Sequence, residues 1–284
     1  MNWPNGAKTA FALGFDVDGR TIWRNKAVKL RNGDSLIKGI SIGDYGTKKG
    51  TDRILDILKE YDMSATFFIP TEILEANEKL AYRILEDGHE IGHHGYDHRG
   101  EYGKTPEEQK ERINLCQDIF MKVIGKKAFG FRATGYIMPE TERWMYSQGG
   151  FVYSSCGISG EACGWYEVEG VKTKAVNIPC RDEQMDDYVQ TVLNSYPQVL
   201  EGMPRIAPYH NTYDNWVREM EGMIKYGNSG STAFHPQIAG TPGRAIIFEK
   251  FVKYLKENDK VWSTSCINIA SHFIKEMEGE GHEK

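Results

Sequence analysis

TAFALGFDVDG, residues 9–19, is an apolar run that closes on two carboxylates and a glycine. Its aromatic and small apolar residues read as a β-strand over 9–16. In an extended segment residues i and i+2 project to the same side, so Asp16 and Asp18 aim at one spot. Two carboxylates directed at one point repel unless a cation or a shared proton lies between them. The same form, a short apolar run ending in polar or glycine residues, recurs along the chain. It predicts strands at 64–70, 89–94, 128–134, 150–155, 173–179, 230–235 and 260–265.

Helical patterns lie between most of these runs. Residues 51–62 carry Ile54, Leu55, Ile57, Leu58 and Tyr61 on one stripe. Residues 105–125 open with Thr105 as a cap, Pro106 in the first helical position and Glu108 three residues after the threonine. Residues 213–227 and 243–258 are the other clear helices. About eight strands alternating with helices imply βα units and a parallel sheet. The length, 284 residues with no composition shift or repeat, suits one domain spanning 1–284. The expected architecture is α/β, a closed or distorted (β/α) barrel, with an open doubly wound sheet as the second choice. No G-x-G-x-x-G follows the first strand, against a dinucleotide fold.

The chain is 40% hydrophobic and 26% charged, with 35 basic and 40 acidic side chains and a net charge of -5. No basic tail offers a phosphate footprint, so nucleic acid is not an expected partner. The opening MNWPNGAKTA lacks the apolar core of a signal peptide, and no run of about 18 apolar residues suggests a membrane span. The five cysteines, at 116, 156, 163, 180 and 266, form no C-x-x-C pair and suggest neither a disulfide framework nor a thiolate zinc site. A reducing cytoplasm is the expected home. Trp144, Trp165, Trp216 and Trp262 are expected in the core or at an interface.

Sites in parallel α/β folds form at the carboxyl ends of strands. Four of the eight histidines fall in HEIGHHGYDH, residues 89–98. His89 stands at the start of its strand, the wrong end; His93, His94 and His98 stand at or beyond its finish, and Gly95 supports a turn. Of the two pairs spaced by four, His94 and His98 are the better placed. One aspartate and two histidines make a three-ligand set for zinc or a similar ion. Arg132 and His235 end two further strands. Taken singly, a D-x-D more often caps a turn and an H-x-x-x-H is more often incidental; their shared placement is what points to a site. The stretch RDEQMDD, 181–187, also follows a strand end, and Asp186 or Asp187 there is expected to cap or be solvated rather than touch substrate.

The order of these motifs, with WPNGAKTAFALGFDVDG at the start and FHPQIAGTPGR at 234–244, resembles the polysaccharide deacetylase family, carbohydrate esterase family 4, over nearly the whole chain. It is most similar to the branch of intracellular peptidoglycan deacetylases, allantoinases and cyclic imide hydrolases. The resemblance implies a distorted barrel and a metal-dependent hydrolase of non-peptide C–N bonds. Asp16 is implied as the general base, Asp18, His94 and His98 as metal ligands, Arg132 as the group that keeps Asp16 ionised, and His235 as the general acid. The implied cofactor is a divalent ion, zinc first, with cobalt, nickel or manganese as alternates. The implied substrate is a small-molecule or glycan amide, and relatives are commonly homotetramers. Extracellular glycan deacetylases usually carry proline two residues after the arginine, where Thr134 stands, and an aspartate within the stretch that reads Tyr153 to Cys156. A ring-opening amidohydrolase acting on cyclic amides is the alternative activity, and a non-catalytic binding relative is the third reading.

Overall fold

In the computed structural model, residues 1–21, 24–25, 37–157, 160–181, 185 and 208–279 are described. The strands are β1 (Thr9–Ala12), β2 (Gly14–Asp16), β3 (Thr66–Ile69), β4 (Glu90–His93), β5 (Gly130–Phe131), β6 (Tyr153–Ser154), β7 (Gly164–Val168), β8 (Val171–Asn177), β9 (Gly230–Ser231) and β10 (Val261–Ser263). All eight expected runs contain a strand, most of them shorter than expected. The first is split at Leu13, and the reason lies in its neighbours. β1 pairs with β10, whereas β2 pairs with β3 on the same edge. The Leu13 carbonyl accepts the Thr66 N–H at 2.9 Å at the changeover. The chain direction does not change; only the partner does.

From β2 the sheet runs β3, β4, β5, β6, β8, every pair parallel. A parallel bridge from Cys180 to Ser231 carries it on to β9, which pairs with β1, and a bridge from Phe15 to Phe234 closes the ring beside β2. The result is a distorted parallel barrel in a single domain. β7, an antiparallel strand on the outer edge of β8, is the one the pattern of alternation missed. Its residues GWYEV carry no clean period.

The helices are α1 (Ile37–Tyr45), α2 (Thr51–Glu60), α3 (Thr71–Ala76), α4 (Glu78–Glu86), α5 (Pro106–Ile124), α6 (Pro139–Ser147), α7 (Tyr209–Tyr226), α8 (Pro236–Ala239), α9 (Pro242–Glu257) and α10 (Cys266–Gly279). α5 starts as its sequence requires. The Thr105 hydroxyl accepts the Glu108 N–H while the Glu108 carboxylate accepts the Thr105 N–H, an arrangement that contributes about 1 kcal/mol. Gly125 ends it at φ 82°.

Strand alternation sorts the core into an outer and an inner layer. Phe11, Leu13, Phe15, Val17, Phe67 and Ile69 pack outward against α2, α4 and α9. Ala10, Ala12, Phe68, Tyr153, Val176 and Ile178 fill the barrel with Cys266 and Ile269 of α10. Trp216 is fully buried, and Trp144, Trp165 and Trp262 are partly buried against core clusters. All five cysteines are free thiols. Among the described residues no helix is long and apolar enough to cross a membrane. Asp186 and Asp187 lie outside the described residues.

Candidate active site

The inward positions of the first strand continue past β2 to Asp16 and Asp18, because the Val17 N–H still donates to Phe68 O at 2.9 Å. The i, i+2 relation read from the sequence therefore holds in space. In β4 the inward positions are Glu90, Gly92 and then His94. Glu90 bonds the Tyr153 hydroxyl at 2.9 Å and the Ile267 N–H at 2.9 Å, and a side chain at Gly92 would strike Phe68. The outward positions are Ile91 and His93. One residue thus separates a mouth-facing imidazole from one packed among Phe120, Phe131 and Phe151.

His94 Nδ1 pairs with the Arg132 carbonyl at 2.9 Å. A carbonyl can only accept, so Nδ1 carries the proton and Nε2 presents a lone pair to the site. That Nε2 lies 3.5 Å from Asp18 Oδ1, and His98 Nε2 lies 3.3 Å from the same oxygen. Ligands about 2.0–2.2 Å from one tetrahedral ion stand about 3.4 Å apart, so these spacings fit. Asp18 and His94 are buried, and Asp18 Oδ1, Asp18 Oδ2 and His94 Nε2 have no hydrogen-bond partner. One ligand atom from each of Asp18, His94 and His98 lies within 4.8 Å of the others, and buried polar atoms without partners are what a cation site requires and an ordinary core avoids. The residues fit a divalent ion.

Electrostatics agree. Burial alone would raise the Asp18 carboxyl, but the imidazoles of His98, His94 and His235 hold it well below the usual carboxylate range. Burial lowers His94, yet Asp16 and Asp18 raise it overall. Burial lowers His98, which favours the neutral, ligating form. His98 adopts a left-handed backbone at φ 59°, after Gly95 at φ 72°. The pair sits on a turn, not on one face of a helix.

Asp16 is held differently. Arg132 Nη1 donates to its Oδ1 at 2.6 Å, while Oδ2 faces His94 Nε2 at 3.7 Å. Arg132 is buried, its guanidinium 4.0 Å over the Phe68 ring. Burial alone would lower its pKa, but Asp16 raises it, so it remains charged. Gly14 makes room for it: a Cβ there would come within 2.9 Å of Nη2 and 2.4 Å of the Thr232 carbonyl. His235 Nε2 stands 3.7 Å from Asp18 Oδ2, the oxygen other than the one His94 meets. His235 lies beyond β9, at the N-cap of α8. A cleft of about 570 Å³ opens beside His98, lined also by Asn25, Tyr102, Lys104 and Thr134.

All six residues singled out in the sequence meet at the barrel mouth. Sequence reasoning missed Ser155 and Ser231, which both bond Arg132, because serine at a strand end carries no distinctive signal. It also missed the support of the His98 turn. There Arg112 of α5 bonds Asp97 at 2.8 Å and Glu101 at 3.1 Å.

A parallel barrel with an Asp–His–His cluster and an arginine-tethered aspartate at its mouth defines a class, and comparison with known proteins agrees. Residues 42–154 match the polysaccharide deacetylase family model. A peptidoglycan deacetylase of Helicobacter pylori is 22% identical over 293 residues, covering 93% of this chain and 96% of its relative. A polysaccharide deacetylase structure from Mycobacterium smegmatis superposes with a TM-score of 0.85 at 25% identity, covering 98% of this chain and 94% of the other. An allantoinase structure shares the fold, with a TM-score of 0.79 at 20% identity and coverages of 96% and 92%. Residues 42–154 thus resemble a polysaccharide deacetylase domain, and the chain as a whole is similar to a peptidoglycan deacetylase, a hydrolase of non-peptide C–N bonds.

Proposed function

We propose that the chain, as one catalytic domain over 1–284, is a metal-dependent deacetylase that hydrolyses an N-acyl amide with Asp16 as general base. The observation that carries this reading is the paired geometry at the mouth. The Nε2 atoms of His94 and His98 lie 3.5 and 3.3 Å from Asp18 Oδ1, and the neighbouring Asp16 is fixed by Arg132 at 2.6 Å.

An unactivated amide resists water because its carbonyl is a weak electrophile and its nitrogen a poor leaving group. A divalent ion, zinc in the first instance, supplies Lewis acidity when held by Asp18, His94 and His98. Asp16 takes the proton from the attacking water through Oδ2, the oxygen Arg132 leaves free. Arg132 holds that carboxylate in place. His235, across the site, protonates the departing nitrogen, which an imidazole can do near neutral pH. A backbone N–H at a strand end steadies the developing oxyanion. We place the enzyme in the cytoplasm as a homo-oligomer, on the resemblance to the intracellular branch.

Elemental analysis of the purified protein, joined to rate assays on N-acetylated sugars and glycans and on cyclic amides, tests the reading. Bound divalent metal and hydrolysis of the acetylated panel are expected. Hydrolysis of the cyclic panel alone would move the protein to the ring-opening amidohydrolases. Stoichiometric metal with no hydrolysis of any amide or ester would make it a binding protein.

A further inference from the structure

The guanidinium of Arg132 has two unlike sides. Nη1 meets the Asp16 carboxylate. Nη2 donates to Ser155 Oγ at 2.9 Å and to Ser231 Oγ at 3.0 Å, and these hydroxyls lie 2.9 Å from each other. Nε donates to the Ser155 carbonyl at 3.2 Å. Both serines are fully buried. Ser155 follows β6 and Ser231 ends β9, so one guanidinium joins inward positions from β2, β5, β6 and β9.

The Phe68 ring sets the height of the guanidinium plane, but a contact with a ring face tolerates rotation within that plane. Only in-plane hydrogen bonds fix the rotation. The serine triangle and the Ser155 carbonyl supply them from neutral atoms. A carboxylate in their place would also orient the arginine, but it would divide the positive charge with Asp16. Hydroxyls orient without neutralising, so Asp16 is the only carboxylate recorded against this guanidinium among the described residues.

We propose that Ser155 and Ser231 are positioning residues, a hydroxyl pair that locks the rotation of Arg132 and through it aims the Asp16 carboxylate. This rests on reading Asp16 as the base. The double variant Ser155→Ala/Ser231→Ala leaves two Nη2 protons without partners in a buried place. Displacement of a reacting group by about 1 Å costs about 10²-fold in rate.

The test uses the metal-loaded full chain. In the double variant kcat should fall about 10²-fold, while KM and metal affinity stay within about threefold. Ser155→Thr, which keeps the hydroxyl, should recover most of the rate lost in Ser155→Ala. Side-chain NMR, with the Arg132 signals assigned by their loss in Arg132→Lys, gives a readout independent of turnover. Wild type should show resolved Nη resonances from hindered rotation, and the double variant should show them merged. If the double variant does not fold, Ser231→Ala alone is carried through the same two measurements, with a smaller shift expected in the same direction. Unchanged Nη resonances would overturn the proposal, as would Ser155→Thr matching Ser155→Ala in rate. If no amide is hydrolysed by the wild type, the proposed function fails, while the NMR result still decides whether the serines lock the arginine.

Discussion

His89 and His93 lie four residues apart, as do His94 and His98, yet one pair faces the helical layer and the other the barrel mouth. The inner ring of the first pair is never offered to the site. His93 stacks on Phe120 at 5.9 Å between centroids, and its Nδ1 accepts the Gly95 N–H at 3.0 Å. His89 Nδ1 accepts the Ala65 N–H at 3.2 Å beside Phe67. Both are buried and neutral, pushed down to about 3 and about 4 by burial. In the second pair Nε2 is left free to meet Asp18. Spacing did not separate the pairs; strand parity and the end of the strand did. Identical chemistry becomes an aromatic contact on one side of a strand and a partner for Asp18 on the other.

The sharpest break in this comparison comes at the carboxylate that His94 faces beside Asp18. Asp16→Asn should lower kcat by about 10³–10⁴-fold and leave metal content intact. A mutant at wild-type rate would remove Asp16 from the mechanism. Next, His98→Ala should weaken metal binding by more than about 10²-fold with little change in the stability of the metal-free protein. His93→Ala should do the reverse, costing about 2–4 kcal/mol of folding stability while metal affinity changes little. Metal titration and denaturant unfolding on both variants measure the crossing, and parallel effects would dissolve the distinction. His235→Ala should slow turnover about 10²-fold or more without loss of metal, read from steady-state rates on metal-loaded protein.

The smallest effect concerns pH. His89 titrates at about 4 in the folded chain and near 6.5 when unfolded. Below about 6.5 the unfolded chain takes up a proton the folded chain refuses, so stability falls as pH drops from about 6.5 toward 4. The slope from this residue is at most about 1.4 kcal/mol per pH unit. Replacement by Gln should flatten that part of the urea-midpoint profile of the metal-free protein.

Much of this was legible in the chain because period-two alternation and strand-end placement are local. TAFALGFDVD shows both layers of the core and both aspartates in ten residues. Thr105, Pro106 and Glu108 announced the start of α5. What was not legible depends on distant partners. The change of neighbour at Leu13 is decided by β10 and β3, from opposite ends of the chain. α10 and the short α3 and α8 are fixed by what they cover. β7 exists because β8 offers it an edge. Ser155 and Ser231 gain meaning only once Arg132 arrives between them.

His98 holds a left-handed backbone at φ 59°, a conformation uncommon outside glycine although asparagine, aspartate and histidine are enriched in it, at a cost of about 1–2 kcal/mol. Relaxation of that residue to an ordinary backbone would carry its ring away from Asp18. The residues that brace the turn, Arg112 foremost, therefore hold the His98 ring beside Asp18.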